Sequence, residues 1–134
     1  MPLTFILAIS HEPELLESRS SILRSAGYAV AQVLSVNQAI ELLESSHFDL
    51  VLLGHSVPAQ DRDYLTRLIR ASGLLTPVVT VAPLGDGHFP DAFTDATVNS
   101  APEKLLSGIR EVLLKAGKNV SGSKTTTPFQ TTAD

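Results

Sequence analysis

Short apolar runs alternate with amphipathic stretches over residues 3–116, and this alternation constrains the fold more than any other feature of the chain. The run from Leu3 to Ile9 is almost continuously apolar, which is typical of a strand buried on both faces of a parallel sheet. Further runs that predict strands lie at 28–34, 49–53, 78–82 and 96–98. Strands that alternate with helices favour right-handed crossovers and a sheet covered by helices on both faces, so we predict an α/β three-layer sandwich.

Proline, glycine and capping residues mark the ends of the first two predicted helices. Pro13 suits the first turn of a helix because the N–H that proline lacks has no partner there, and Gly27 is a typical terminator. Ser35 and Gln38 have the spacing of a capping box, which predicts a second helix that begins after Ser35. The apolar positions expected on the inner face of the first helix are Leu15, Leu16, Ile22, Leu23 and Ala26.

The signals for a third helix and for the segment after the fourth strand are weaker. Asp61 or Asp63 is expected to cap the third helix, and Gly73 is expected to end it. Between Pro83 and Asp95, two glycines and a second proline interrupt the pattern, so we expect at most about one helical turn in that segment.

The last helix and the end of the chain define the domain boundary. Ser100 and Glu103 again have capping-box spacing, and the last helix is predicted to close at Gly117. Beyond it, Lys, Ser, Thr and Gly dominate and offer little to bury. We therefore predict one domain over residues 1–117 and a flexible tail rich in Ser and Thr over residues 118–134.

Composition argues against several classes of partner. The 134-residue chain has a net charge of −4, and its ten basic residues are scattered, so no basic stripe for nucleic acid is expected. It has no cysteine, which excludes disulfides and thiolate chemistry and is compatible with the cytosol. No apolar run approaches the length of a membrane span, and the short apolar N-terminus lacks a basic leader, so we expect a cytoplasmic protein that does not bind membranes.

Five segments occur in an order and spacing that resemble the receiver domain of two-component response regulators. The segments are Ile6 to Leu15, Ala26-Gly27-Tyr28, Phe48 to Pro58, Thr76 to Val79 and Pro102 to Leu106. The resemblance covers residues 3–116 and places the chain with the CheY-like superfamily. It implies a flavodoxin-like fold with a five-stranded parallel sheet in the order 2-1-3-4-5, with a shortened fourth helix between the fourth and fifth strands.

Receiver domains accept a phosphoryl group on an aspartate that follows the third strand. The reaction needs a carboxylate nucleophile, a Mg²⁺ ion held by acidic residues, and a cation that stabilises the transferred group. The family meets these needs with two acids after the first strand, a hydroxyl residue after the fourth strand and a lysine after the fifth.

Few of these groups are present when the pattern is carried onto this sequence. At the positions aligned with the acidic pair and next to them, Glu12 is the one carboxylate present, and a single carboxylate is not enough to form the phosphorylation site. The resemblance therefore implies a pseudo-receiver that lacks the phosphoacceptor and binds no cofactor. The aligned positions are Ser10 and His11 for the acidic pair, Gly54 for the phosphoacceptor, Ala82 for the hydroxyl, and Val98 or Asn99 for the lysine.

We predict from these departures that the chain is a noncatalytic signalling module. Because it includes no DNA-binding or enzymatic output domain, it is expected to act through a protein partner in a two-component or phosphorelay pathway, or through a second copy of itself. An enzyme is not favoured, because Ser10, Ser56 and His11 are explained by capping and turn formation and no G-x-S-x-G elbow is present.

Histidines at the same edge of the predicted sheet leave one alternative open. His11, His55 and His88 follow the first, third and fourth strands, and ligands bind near the carboxyl ends of parallel strands. Imidazole suits Zn²⁺, Ni²⁺ or Cu²⁺, so a transition-metal or small-ligand sensor is the alternative function. The competing interpretation is that these are ordinary surface histidines, since no close histidine spacing fixes a ligand set.

Overall fold

Five parallel strands form the centre of the structure, a computed structural model that describes residues 3–82 and 94–117. The strands run in the order β2-β1-β3-β4-β5, and all four neighbouring pairs are parallel. This is the predicted flavodoxin-like sheet, and the prediction of the fold is confirmed. The strands are β1 (Phe5–Ile9), β2 (Ala29–Val33), β3 (Leu50–Gly54), β4 (Val78–Val81) and β5 (Ala96–Val98); the helices are α1 (Pro13–Ser25), α2 (Val36–Ser45), α3 (Ala59–Ala71) and α4 (Pro102–Gly117).

The alternation of side chains along the strands divides the core into two clusters. In β1, Leu7 and Ile9 join one cluster while Ile6 joins the other, and β3 alternates in the same way. One cluster includes Ala39 of α2 and Leu65 and Ile69 of α3, and the other includes Leu23 of α1 and Leu105 and Ile109 of α4. The sheet is therefore buried on both faces, which explains why its strands read as nearly continuous apolar runs.

Helix starts follow the sequence signals in part. The Ser35 side chain accepts a hydrogen bond from the Gln38 amide at 3.2 Å, so the predicted N-cap of α2 is confirmed. The Gln38 side chain, however, accepts from the Leu34 amide at 3.0 Å rather than from Ser35. The capping-box pattern thus predicts the helix correctly, although the Gln38 side chain binds the amide of Leu34, one residue before the expected partner Ser35.

Two other predicted caps are wrong. Helix α3 begins at Ala59, with Pro58 at the N-cap, because the fixed φ angle of proline suits the start of a helix. Asp61 therefore lies inside the first turn, and Asp63 lies further along the helix. At the start of α4, the Ala101 amide donates to the Asn99 side chain at 2.8 Å, while the Ser100 hydroxyl is buried without a partner among the described residues.

Helix ends agree with the glycine signals. Gly27 and Gly73 follow α1 and α3 with φ angles of +98° and +82°, a left-handed region that residues with a Cβ adopt at a cost. The predicted helical turn between the fourth and fifth strands and the predicted tail at 118–134 lie outside the described residues. None of the helices in the described ranges is long and apolar enough to cross a membrane.

Asp95 joins three elements at the edge of the sheet where β4 begins. Its carboxylate accepts a hydrogen bond from the Val78 amide at 2.7 Å and pairs with the Arg70 guanidinium of α3. Its own amide donates to the Val78 carbonyl at 2.8 Å. Strand β5 has only three residues, so it pairs with β4 over a short length. The Asp95 side chain adds contacts to β4 and α3 that this short pairing does not provide.

We expect Asp95→Ala to lower the free energy of unfolding by about 1–3 kcal/mol, because the buried Val78 amide loses its acceptor. Chemical denaturation measured by circular dichroism tests this expectation. Asp63→Ala is the matched control, since Asp63 pairs with an Arg67 side chain that is 78% exposed. Such a pair contributes less than about 1 kcal/mol. Equal losses for the two variants would contradict the stabilising role of Asp95.

Candidate functional site

The residues predicted to line the phosphorylation pocket follow or end four parallel strands at one edge of the sheet. Ser10 follows β1, Gly54 ends β3, Ala82 follows β4, and Val98 ends β5 with Asn99 next to it. In open α/β sheets this carboxyl edge is where ligands bind. The structure therefore brings the predicted positions to a common edge, although their side chains take different roles.

Gly54 lies against the guanidinium of Arg19 from α1. A Cβ atom built on Gly54 would lie 3.0 Å from Arg19 Nη1 and 3.1 Å from Ser10 Oγ. Both distances are shorter than ordinary van der Waals contact, so a side chain at this position would displace its neighbours. A positive charge thus lies against the backbone at the end of β3.

Arg19 is buried, with 6% of its surface exposed. No hydrogen bond or ion pair of its guanidinium is found within residues 3–82 and 94–117. Burial lowers the pKa of Arg19 from its ordinary value, and the Glu12 carboxylate acts in the opposite direction. Since arginine starts from such a high pKa, the group stays charged near neutral pH.

Sequence reasoning missed Arg19, yet a signal for it exists. The buried positions of α1 are Leu16, Arg19, Ser20 and Leu23, which is the i, i+3, i+4, i+7 pattern of one helix face. The predicted inner face instead included Leu15, which is 37% exposed. The inner face was predicted from apolar residues alone, so the one charged side chain that α1 turns toward the sheet was left out.

Two hydroxyl groups form a small network beside this charge. Ser10 Oγ and Ser56 Oγ lie 3.2 Å apart. Ser10 Oγ accepts from the Glu12 amide at 3.0 Å, and Ser56 Oγ accepts from the His11 amide at 3.1 Å. These bonds tie the loop after β1 to the loop after β3 and explain why Ser10 is buried.

The histidines do not form a ligand set in the described structure. His55 Nε2 lies 3.8 Å from Glu12 Oε1, while Nδ1 of the same ring is buried without a partner among the described residues. The His11 side chain is exposed, and His88 lies outside the described residues. Across residues 3–82 and 94–117, no group of three potential metal ligands is found. The His11, His55 and His88 site stays a prediction.

The remaining pocket positions carry backbone and packing roles. The Ala82 amide donates to the Val98 carbonyl at 2.9 Å, which extends the ladder between β4 and β5. Val98 packs on α4 so closely that a Cβ on Gly108 would lie 2.7 Å from its Cγ1. Asn99 binds the Ala101 amide. Neither lysine-aligned position, Val98 or Asn99, carries a positive charge.

The electrostatics of this edge are the reverse of a Mg²⁺ site. Mg²⁺ needs carboxylate oxygens, whereas the described contacts at this edge bring one buried guanidinium, two hydroxyls and a half-buried imidazole together. Glu12 is the one carboxylate that takes part in these contacts, and its side chain is about half exposed. The arrangement suits an anion better than a divalent cation.

No family model matches the sequence, and no curated protein matches it. Solved structures do match. The receiver domain of the Francisella response regulator 1452 aligns with a TM-score of 0.70 at 12% identity, over 85% of this chain and 99% of that one. A CheY-like receiver domain protein from Methanospirillum hungatei JF-1 aligns with a TM-score of 0.70 at 22% identity, over 89% and 100%.

A third similar structure is the chemotaxis response regulator CheY4 of Vibrio cholerae, with a TM-score of 0.71 at 16% identity over 83% of this chain and 99% of that one. The structural neighbours are thus CheY-like receiver domains, and the chain has the receiver fold. Because the identities are this low, the likeness extends to the fold alone.

We expect Arg19→Met to raise the free energy of unfolding by about 1–3 kcal/mol in a buffer free of multivalent anions, because a buried polar group without a partner is replaced by an apolar chain of similar length. Denaturant unfolding measures the change. Arg67→Met, at an exposed position, is the control and should have little effect. A loss of stability in Arg19→Met would mean that the guanidinium makes a favourable contact in solution.

Proposed function

We propose that this chain is a receiver-like module that is not phosphorylated and that signals by binding a protein in a two-component or phosphorelay pathway. The receiver fold supports the pathway, and the changed pocket supports the loss of phosphoryl chemistry. The module is not an enzyme, uses no cofactor, and binds neither nucleic acid nor membrane. Its place is the cytoplasm, where the partners of receiver domains act.

One observation carries the proposal: Arg19 Nη1 lies 3.0 Å from the position of a Cβ on Gly54. A phosphoacceptor needs a carboxylate at this point, with Mg²⁺ beside it to neutralise the phosphoryl oxygens. Gly54 offers no nucleophile, and Ser10 and His11 offer no carboxylate. A restored carboxylate at position 54 would meet the guanidinium first and pair with it.

An apolar groove supports contact with a protein. It lies beside the start of β4, has a volume of about 400 Å³, and is lined by Phe48, Leu74, Leu75, Pro77, Leu113 and Ala116 together with polar neighbours. Leu75, which lines the groove, is 80% exposed. An exposed apolar side chain beside an apolar groove is typical of a protein-binding site.

We expect the intact mass of the protein to stay unchanged after incubation with acetyl phosphate and Mg²⁺. Electrospray mass spectrometry under neutral and acid conditions checks this, with a receiver domain that keeps its aspartate as the positive control. Gly54→Asp should also remain unmodified, because Arg19 pairs with the new carboxylate and no acidic pair binds the metal. An acid-labile phosphoryl adduct on the natural chain would refute the proposal.

Leu75→Asp should weaken binding of the partner protein at least tenfold, because a charge would be desolvated in an apolar contact. The partner is identified by affinity capture from the native host, then purified and measured by calorimetry. Tyr64→Asp is the matched control, since Tyr64 is exposed on α3 and does not line the groove. Equal loss in both variants, or none in either, would contradict this location for the interface.

Self-association is the other form of protein contact that this surface permits. Sedimentation of the natural chain and of Leu75→Asp distinguishes a second copy from a different partner. The transition-metal sensor on His11, His55 and His88 stays the alternative hypothesis, and no contact within the described residues favours it.

A further inference from the structure

The apolar groove beside the start of β4 lies directly at the end of the last helix. Leu113 and Ala116 of α4 line the groove, and α4 ends at Gly117. The residues that follow, 118–134, lie outside the described structure. They are therefore joined to the domain at the wall of the groove, which makes them the nearest ligand for it along the chain.

The groove suits an aromatic side chain. Its volume of about 400 Å³ falls within the roughly 300–1,000 Å³ typical of ligand pockets. Phe48 lines it and packs on the ring of Phe5, with the ring centroids 4.8 Å apart. Leu75, at its rim, is exposed. A ring that enters the groove would bury apolar surface and lie beside another aromatic residue.

The apolar surface continues from the groove toward the helices on one face of the sheet. Leu74 lines both the groove and a second hollow of about 290 Å³ between α2 and α3. Ile40 and Leu43 of α2 line that hollow, together with Leu68 and Ile69 of α3. The surface thus offers adjoining contacts for two neighbouring apolar side chains.

The segment 118–134 contains one such pair. Pro128 and Phe129 are adjacent, and Phe129 is the only aromatic residue of the segment. A chain of the length of residues 118–129 spans roughly 20 Å as a flexible coil and at most about 40 Å when extended. It is therefore long enough to double back onto a groove that adjoins Gly117.

The charges of the two surfaces are complementary. Asp49 lines the groove and Glu44 lines the adjoining hollow, whereas no lysine or arginine of the described residues lines either. The stretch 118–127 carries Lys118 and Lys124 and no acidic residue. Opposite charges attract at distances within the Debye length, so this stretch is drawn toward the groove rather than repelled from it.

We propose that Pro128 and Phe129 occupy the apolar groove of their own chain, with residues 118–127 as the tether. A short tether gives an effective concentration on the order of millimolar, so even a weak contact is populated. One consequence rests on the proposed function: a protein that binds the groove must displace Phe129, so the segment is an intramolecular competitor. The contact itself does not depend on that function.

A nitroxide spin label next to Phe129 tests the contact in the full chain. The chain has no cysteine, so Gln130→Cys provides a single attachment site. In methyl NMR spectra, we expect paramagnetic broadening of Leu74 and Leu75 to exceed that of Leu34, which follows β2 at the opposite edge of the parallel sheet.

Substitution of Phe129 distinguishes docking from the proximity that any tether imposes. In the labelled chain, Phe129→Ser should reduce the broadening at Leu74 by about threefold or more, because the apolar anchor is lost. Leu75→Asp should reduce it likewise, while the matched control Thr131→Ala should leave it unchanged. Broadening that is the same with and without Phe129 overturns the proposal.

A mixed sample distinguishes the chain's own segment from that of a second copy. Spin-labelled chains without isotopes are mixed with natural chains that carry ¹³C methyl groups. We expect no broadening of the groove methyl groups at micromolar concentration. Broadening as strong as that within one labelled chain would assign the contact to a second copy and overturn the intramolecular site.

Binding of the partner protein separates failure of this proposal from failure of the proposed function. Phe129→Ser should tighten the partner Kd measured by calorimetry by about threefold or more, because the competitor is removed. An unchanged Kd overturns the competition, and a Kd that Leu75→Asp still weakens supports the groove as the protein-binding site. Docking seen by NMR, with no effect of Leu75→Asp on the partner, supports the contact and refutes that location for the interface.

Discussion

Burial of β3 on both faces is the constraint on which the rest of this structure depends. All five residues of the strand are buried, and their side chains alternate between the cluster under α2 and α3 and the cluster under α1 and α4. A strand in that position has no room for a polar side chain that lacks a partner. Gly54, the last residue of the strand, therefore lies where the core meets the carboxyl edge of the sheet, the edge at which open α/β sheets bind ligands.

The changes at that edge are mutually consistent. Ser10, His11 and Gly54 carry no carboxylate that could hold a metal ion, and Arg19 brings a positive charge next to Gly54. The serine network ties the loop after β1 to the loop after β3. The receiver fold is thus combined with a carboxyl edge whose described contacts are dominated by a guanidinium and hydroxyl groups.

The sequence predicted the fold well because the signals that define it are local and periodic. Apolar runs of strand length, Gly27 and Gly73 at helix ends, and the Ser35 cap all depend on neighbours in the chain. The caps at Asp61 and Ser100 were wrong for a related reason: Pro58 and Asn99 satisfy the same requirements from nearby positions. Several neighbouring residues can each cap the same helix, and the sequence pattern alone does not show which of them does.

The candidate site was only partly predictable. The positions at the strand ends followed from the order of the segments, so Ser10 and Gly54 were identified. Arg19 was not, because its importance depends on which face of α1 meets the sheet and on the space that Gly54 leaves. The Ser10–Ser56 contact joins residues far apart in sequence, and only the parallel pairing of β1 with β3 brings their loops together.

The contact between Arg19 and Gly54 also limits how this chain can diverge. A larger residue at position 54 collides with the guanidinium, and a smaller residue at position 19 leaves an unfilled hollow beneath the glycine. Neither position is free to drift alone, so the two are expected to be inherited as a pair. A substitution at either position would therefore have to be accommodated by the residue at the other.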